Sequence, residues 1–539
     1  MKADARKDNK SIPRRTFIMN SVAVCSGMSS LSIAMPGISF AEKNRQKRPN
    51  ILFIMSDDHA PNAISCYGGL LSGVAKTPNI DRIAEEGMRL NNCFVTNSIC
   101  TPSRACILTG QYSQKNGVYT LSDEFDPNHR NVANMLQQGG YQTAVIGKWH
   151  LKTEPAGFDY YNVLPGQGRY YNPILKEKGK SWQNGTGGGT EYTGYSTDVI
   201  TDSALQWLKN STSDKPFFLM CHFKAPHRNW EPARRFADLY RDMEMPEPDN
   251  LLDEYQNRSR AAANATLKIG EDMNERDLKQ EKPAGLDRNE QIQWCYQLYI
   301  KDYLRCIAAV DENIGRLLNF LDDEGLADNT MVIYTSDQGF FLGEHGYFDK
   351  RFMYEESLRM PFVVRYPGDI KPGTTNDDII INADFAPMFL EYAGLPVPST
   401  MQGRSFRSNL EGTTPSDWRT EMYYRYWMHM AHHGVPAHYG IRTKRYKLIF
   451  FYGLGLGMKG TQIVNQALKS SQDFAPTIPE WELFDLKKDP REMNNVYENP
   501  AYADVRKKLK ADLLSLKEEL GDNDDTYSEL MEVRKKYWE

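Results

Sequence analysis

Several short stretches gather side chains that can do metal, acid–base or nucleophilic chemistry. Ser56-Asp57-Asp58-His59 and Ser336-Asp337-Gln338-Gly339 each follow a short apolar run. Together they offer three carboxylates and one carboxamide, hard oxygen donors of the kind that hold Ca²⁺, or less readily Mg²⁺. Gly147-Lys148-Trp149-His150 supplies an ammonium and an imidazole two residues apart. The two point the same way if the preceding strand continues. His222-Phe223-Lys224-Ala225-Pro226-His227 ends on a histidine behind a proline, a loop position. In Cys100-Thr101-Pro102-Ser103-Arg104, Thr followed by Pro reads as a helix start, with 103–112 able to continue the helix. Cys100 then sits beside backbone N–H groups that favour an anion, where a thiol would be reactive. Taken singly, each has an ordinary structural use: an Asp pair caps a helix, a Lys or His is solvated, and a Cys is a small buried apolar residue.

What sets them apart is the set of elements they follow. The runs 49–55, 143–147, 216–220, 331–335 and 361–365 are short and continuously apolar, as buried parallel strands are. Helical patterns lie between them, at 79–87, 132–140, 197–210 and 293–325. Strand–helix alternation predicts an α/β class: a large, mostly parallel sheet sandwiched by helices. In such sheets the active site lies at the carboxyl ends of the strands, where the chemistry-bearing stretches fall. Residues 160–195, rich in Gly and Tyr, read as a long loop, and 230–290 as a polar, helical insertion. Beyond 410 the pattern changes to short antiparallel strands at 421–428, 439–442, 446–451 and 481–486, then an amphipathic helix at 501–520. The division expected is a catalytic domain over 48–410 and a smaller α+β subdomain over 411–539.

Composition narrows the class further. The 539 residues are 40% apolar and 25% charged, with a formal charge of -5, an ordinary globular balance without the basic face of a nucleic-acid binder. Residues 1–41 read as an export signal. A basic start leads through Arg14-Arg15-Thr16-Phe17-Ile18, which resembles a twin-arginine signal, into a Ser/Ala-rich apolar stretch ending near Ser39-Phe40-Ala41. The mature protein would then be periplasmic or secreted. Ala23-Val24-Cys25 is a poor lipobox, and no later run approaches the roughly 18 apolar residues of a membrane span. The eight cysteines are irregularly spaced and contain no Cys-x-x-Cys pair, so neither a disulfide framework nor a zinc site is indicated.

The motifs also carry a resemblance. Cys100-Thr101-Pro102-Ser103-Arg104, followed by Ala105-Cys106-Ile107-Leu108-Thr109-Gly110, resembles the signature of the type I sulfatases of the alkaline phosphatase superfamily. Gly140-Tyr141-Gln142-Thr143-Ala144-Val145-Ile146-Gly147-Lys148-Trp149-His150 resembles their second signature, and 481–492 their small domain. The resemblance implies that a maturase oxidises Cys100 to Cα-formylglycine (3-oxoalanine), whose hydrate is the nucleophile. It implies Ca²⁺ held by Asp57, Asp58, Asp337 and Gln338 beside position 100, with Gln338 where many members have Asn. Arg104 would stabilise the hydrate. Lys148, His227 and Lys350 would bind sulfate oxygens, with His227 or a lysine protonating the leaving alcohol, and His150 would assist release of sulfate. Arg351, next to Lys350, is an alternative for the second lysine.

The segments 349–361 and 438–443 are similar to carbohydrate sulfatases of the N-acetylglucosamine-6-sulfatase kind. A sulfated saccharide, with 6-O-sulfated N-acetylglucosamine foremost, is the substrate implied, and His438 a residue of its pocket. The alternatives are a phosphonate or phosphate ester hydrolase of the same superfamily, an inactive glycan-binding relative, and a protein that uses the Cys100 thiolate itself.

Overall fold

The computed structural model describes residues 48–211, 214–465 and 470–539; the export-signal reading of 1–41, Cys25 included, lies outside them. Among the described residues, ten strands form one large sheet. In chain order they are β1 (Asn50–Ser56), β2 (Met88–Leu90), β3 (Gln142–Lys148), β4 (Tyr160–Leu164), β5 (Ile174–Glu177), β6 (Thr190–Glu191), β7 (Phe217–His222), β8 (Thr330–Ser336), β9 (Phe362–Arg365) and β10 (Thr374–Asn376). Their spatial order is β10-β2-β9-β8-β1-β7-β3-β4-β5-β6. The central strands β8, β1, β7, β3 and β4 are all parallel. β9 runs antiparallel beside β8, and β5 and β6 close the far edge antiparallel.

Why the strands read as unbroken apolar runs is visible in β1. Ile51, Phe53 and Met55 enter one buried cluster, Leu52 and Ile54 another, and all five are fully buried. Both faces of the sheet are therefore covered, as a parallel sheet requires, and each such side chain contributes roughly 1.5–3 kcal/mol by leaving water. Helices α1 (Pro78–Glu85), α3 (Ser196–Asn210) and α4 (Arg288–Asp323) pack on the Leu52 face. Helix α2 (Cys100–Thr109) packs on the Phe53 face, together with a second sheet.

That second sheet is small and antiparallel: β11 (Glu421–Tyr426), β12 (His438–Thr443), β13 (Tyr446–Phe451) and β14 (Glu480–Asp485), in that order. Helix α5 (Ala503–Glu519) packs across β11 and β12. Helix α4 begins earlier than its apolar pattern suggests, because Asp287 and Glu290 form a capping box: the Asp287 carboxylate accepts from the Glu290 N–H and the Glu290 carboxylate from the Asp287 N–H. The stretch 160–195 is not one long loop. Tyr160-Tyr161-Asn162-Val163-Leu164 is aromatic and β-branched enough to add β4 to the sheet, and Ile174–Glu177 and Thr190–Glu191 extend it; the intervening glycines hid this. None of the described helices is long and apolar enough to cross a membrane.

Candidate active site

Register brings the site together. In the parallel ladders Ser56 pairs with Ser336, Met55 with His222, and Gly147 with His222. The residues after these positions therefore emerge along one edge of the sheet. They are Asp57 and Asp58 from β1, Asp337 and Gln338 from β8, Lys148 at the end of β3, and the 223–227 segment from β7. Gly147 is required here: its φ is +99°, and a Cβ would lie 1.9 Å from the His222 carbonyl oxygen. The strand does not continue past Lys148. His150 turns away with φ +57°, and Asp58 and both neighbours of Lys350 also take positive φ, an accumulation of strain usual where function over-determines geometry.

Asp57, Asp58 and Asp337 are fully buried and each places a carboxylate oxygen within 4.8 Å of the others. Asp57, Cys100 and His227 form a second such group. The fourth oxygen ligand expected, Gln338 Oε1, is buried without a hydrogen-bond partner, while Gln338 Nε2 donates to Asp58. Three carboxylates and an unused carboxamide oxygen, buried together, fit a hard divalent cation.

Cations surround this cluster. Lys148 pairs with Asp57, and Lys350 Nζ reaches both Asp58 oxygens at 2.6 and 2.7 Å. Arg351 turns elsewhere, to Asp349 (3.2 Å) and the Tyr426 hydroxyl (3.1 Å), so Lys350 is the one that meets the carboxylates. Arg104 donates from Nε to Asp337 (3.0 Å) and from Nη1 to the Lys148 carbonyl (2.6 Å), tying α2 to two strand ends.

Cys100 is the first residue of α2, 1% exposed, with Sγ 3.4 Å from Asp57 Oδ1 and 3.8 Å from Gln338 Nε2. Its thiol is not the reactive one its helix position suggests. Burial pushes it up to about 12, with Lys350 opposing and Asp337 and Asp58 adding to the rise. Desolvation and two carboxylates outweigh the helix N-terminus.

Burial, reinforced by Lys148 and Arg104, holds His150 well below the ordinary histidine value, so it stands neutral, and its Nδ1 is buried without a hydrogen-bond partner. Burial and the lysines Lys148, Lys350 and Lys224 do the same to His227, whose Nδ1 donates to the Arg228 carbonyl at 2.6 Å and whose Nε2 lies 3.7 Å from Asp58. Lys350 moves the other way: burial opposes its charge, but Asp58, Cys100 and Asp349 raise it above the ordinary lysine value.

His438 is not brought to this place. It is fully buried in the small sheet, its ring 4.9 Å from Phe451, 5.6 Å from Tyr424 and 5.5 Å from Tyr426, with Nδ1 donating to the Pro436 carbonyl. Four residues that the sequence reading passed over do belong here. Ser103 donates to the Asp337 carbonyl, and His222 Nδ1 meets the Lys148 carbonyl at 3.1 Å. Gln167 Oε1 accepts from Lys148 Nζ at 2.5 Å, and Lys224 is buried beside His227. Lys224 stood in a strand-end segment already singled out; Gln167, in a glycine-rich turn, gave no signal.

Known proteins resemble this chain along nearly its whole length. The Sulfatase family model matches residues 49–395, and the model for the C-terminal part of N-sulphoglucosamine sulphohydrolase matches 343–455 and 462–519. The N-acetylglucosamine-6-O-sulfatase of Bacteroides thetaiotaomicron is 42% identical, over 96% of either chain. A solved structure of a protein in complex with its substrate, D-glucosamine-2-N,6-O-disulfate, superposes with a TM-score of 0.80 at 44% identity, covering 89% of this chain and 99% of that one. The phosphonate monoester hydrolase of Agrobacterium radiobacter shares the fold, with a TM-score of 0.64 at 21% identity over 88% and 96% of the two chains.

Proposed function

We propose that this chain, which belongs to the sulfatase family, removes the 6-O-sulfate of N-acetylglucosamine or a closely related glucosamine in a sulfated glycan. That it is a sulfuric ester hydrolase follows from the family; the sugar is our reading, supported by the relative that carries this activity in its name and by the disulfate-bound structure. The observation that carries the site is the placement of Cys100 at the start of α2, against Asp57 and Gln338 and under Arg104.

In this reading Cys100 is converted to Cα-formylglycine, whose hydrate supplies an oxygen nucleophile and a second hydroxyl. Cys100 is 1% exposed and all of α2 is buried, so a maturase must act before the chain folds; if the twin-arginine reading of 1–41 is right and the chain is exported folded, that is before export to the periplasm or beyond. Asp57, Asp58, Asp337 and Gln338 would hold a divalent cation, Ca²⁺ by its fit to oxygen donors, which when bound draws charge from the sulfate oxygens. Lys148 and Lys350 place two ammonium groups where the sulfate oxygens gather negative charge. Neutral His150, with a free Nδ1, is a proton acceptor. His227 stands neutral, but an anionic sulfate ester beside it favours its protonated form, and the leaving alcohol can then take that proton. The catalytic domain in this reading spans 48–410 and the C-terminal subdomain 411–539.

The test is sulfate release from 6-O-sulfated N-acetylglucosamine, alongside hydrolysis of a phosphonate monoester and mass spectrometry of the peptide bearing position 100. Sulfate release with an aldehyde at position 100 is expected. A strong phosphonate preference, or an unmodified thiol in fully active protein, would overturn the reading.

A further inference from the structure

A pocket of about 470 Å³ opens beside the catalytic cluster. Its wall includes Arg169, Tyr170, Lys224, His227, Arg228 and Arg276. Cys100, Lys148 and Lys350 do not line it; His227 does, and so joins the pocket to the reacting centre. The pocket carries far more positive than negative charge: Glu231 is the one carboxylate on its wall.

Two of the four cations on this wall have an evident structural partner. Arg228 forks onto Asp277 through Nε and Nη2, at 2.6 and 2.5 Å. Arg169 meets Glu191 at 3.3 Å in solvent. Lys224 differs. It is 4% exposed, and among the described residues its ammonium makes neither hydrogen bond nor ion pair, resting only over the Tyr170 ring at 4.7 Å. Glu231 acts on this ammonium across the pocket but does not pair with it, and a buried ammonium with no anion in direct contact is costly unless something anionic meets it. Arg276, exposed and likewise without an ion pair among the described residues, faces the same pocket. The lysines nearest the reacting centre already have partners, Lys148 on Asp57 and Lys350 on Asp58, so Lys224 is the buried lysine left over. Its wall is fixed as well as charged: Tyr170 donates its hydroxyl hydrogen to the His227 carbonyl at 2.5 Å, so the ring under Lys224 is tied to the residue that borders the reaction.

We infer that this pocket is a subsite for a second anionic group of the substrate, a sulfate or carboxylate carried on the saccharide apart from the ester that is cleaved, with Lys224 as its principal contact. The inference rests on the saccharide reading above and adds to it a requirement: the preferred substrate carries at least two negative groups. An N-sulfate on the same sugar and the carboxylate of a neighbouring uronate share this chemistry, and substrates distinguish them.

The experiment compares kcat/KM for three sugars that share a 6-O-sulfated glucosamine. One is N-acetylated with no other charge, one is N-sulfated, and one is N-acetylated and joined to a uronate. The protein should favour one of the two doubly anionic sugars by tenfold or more, and Lys224→Met should shrink that preference at least tenfold. Lys224→Arg should restore part of it. Arg276→Ala, an exposed change that leaves the fold alone, should shrink it about threefold. Equal kcat/KM for the three sugars would overturn the subsite while leaving the saccharide reading intact. So would an equal loss on all three in Lys224→Met, which would assign Lys224 to the reacting sulfate. Sulfate release from none of them would overturn the saccharide reading, and the subsite with it.

Discussion

Asp58 and Asp522 are both buried carboxylates among cations, yet their environments drive them in opposite directions. Asp522 lies under the small sheet, paired with Arg425, 3.3 Å from Lys517 and bonded by the Tyr423 hydroxyl. Burial opposes its charge, but Arg425 and Lys517 prevail and hold its carboxyl down at about 2. Asp58 has only Lys350 directly upon it, and Asp337 and Asp349 nearby; burial pushes it up to about 6, with the two carboxylates adding to the rise. One region balances its charges and wraps them in rings, with Trp427 3.5 Å from the Arg425 guanidinium. The other crowds three carboxylates within 4.8 Å of one another, and although each meets one cation, the repulsion among them is left unbalanced. Carboxylates converging in this way at a strand-end edge are what a cation site looks like before the cation is counted, whereas the balanced cluster is a clasp between α5, the chain beyond it and β11.

The comparison breaks most sharply at the centre of the unbalanced region. Cys100→Ala should lower sulfate release by about 10⁴-fold or more, since a nucleophile is lost, while the thermal transition stays in place. Residual turnover within tenfold of the parent would dismiss Cys100 from the reaction. Asp58→Asn and Asp522→Asn then test the two regions against each other. Asp58→Asn should cost about 10³-fold in kcat/KM, through loss of a ligand carboxylate, and cost less stability than its counterpart because Asp349 remains near Lys350. Asp522→Asn should cost about 3–5 kcal/mol in denaturant unfolding, as stranded buried charges do, and leave kcat/KM of the folded fraction nearly unchanged. Reversed outcomes would mean the structural and functional assignments are exchanged.

How far the sequence discloses this contrast depends on what each region is made of. Asp57, Asp58, Asp337 and Gln338 could be read because each follows an apolar run, and a parallel sheet sends all such ends to one edge. Lys148 and His227 could be read for the same reason. Lys224 stood in one of these segments but could not be told from its neighbours there, and Gln167 could not be read at all, because their importance lies in what faces them across space: an unpaired ammonium over a ring, and an amide on the Lys148 ammonium. The Arg425–Asp522 clasp was equally illegible, since its members lie 97 residues apart with no motif to join them. His438 drew attention as a polar residue near a suggestive segment, but its strand is buried over its first five residues, on both faces, and the ring went to the core. The strands hidden in 160–195 were masked by glycines at their ends, where turn signals drowned a short β pattern.

The pH dependence of the two carboxylates sharpens the comparison without any mutation. Asp522 is held below the ordinary carboxylate value, so its stabilisation is full above about 3.8 and is lost as pH falls through about 2. Asp58 is held above it, so its contribution is full below 3.8 and is lost as pH rises through about 6. A cation at Asp58 must displace that proton, so Ca²⁺ affinity measured by titration calorimetry should fall about tenfold per pH unit below pH 6. Affinity flat between pH 5 and 7 would remove Asp58 from the cation site.

The smallest effect expected is at Gln167, where the unbalanced region reaches its rim. Lys148 is fully buried, and burial, with Lys224 and Lys350 nearby, presses its ammonium well below the ordinary lysine value. Asp57 and the Gln167 carboxamide are what hold it in place. Gln167→Leu removes the amide acceptor and leaves Asp57, so kcat/KM should fall only about five- to tenfold, the worth of one charge-assisted hydrogen bond partly replaced by water. Because the weakened ammonium titrates more easily, the basic limb of the pH–rate profile should also move to lower pH, and Gln167→Glu should move it back up by returning an acceptor with charge. An unchanged profile in both variants would make Gln167 a lining residue only. A loss as large as that of Cys100→Ala would instead mean that Lys148 depends on the rim more than on Asp57, and the balance of charge drawn for the whole region would shift outward from the strand ends to the 165–168 turn.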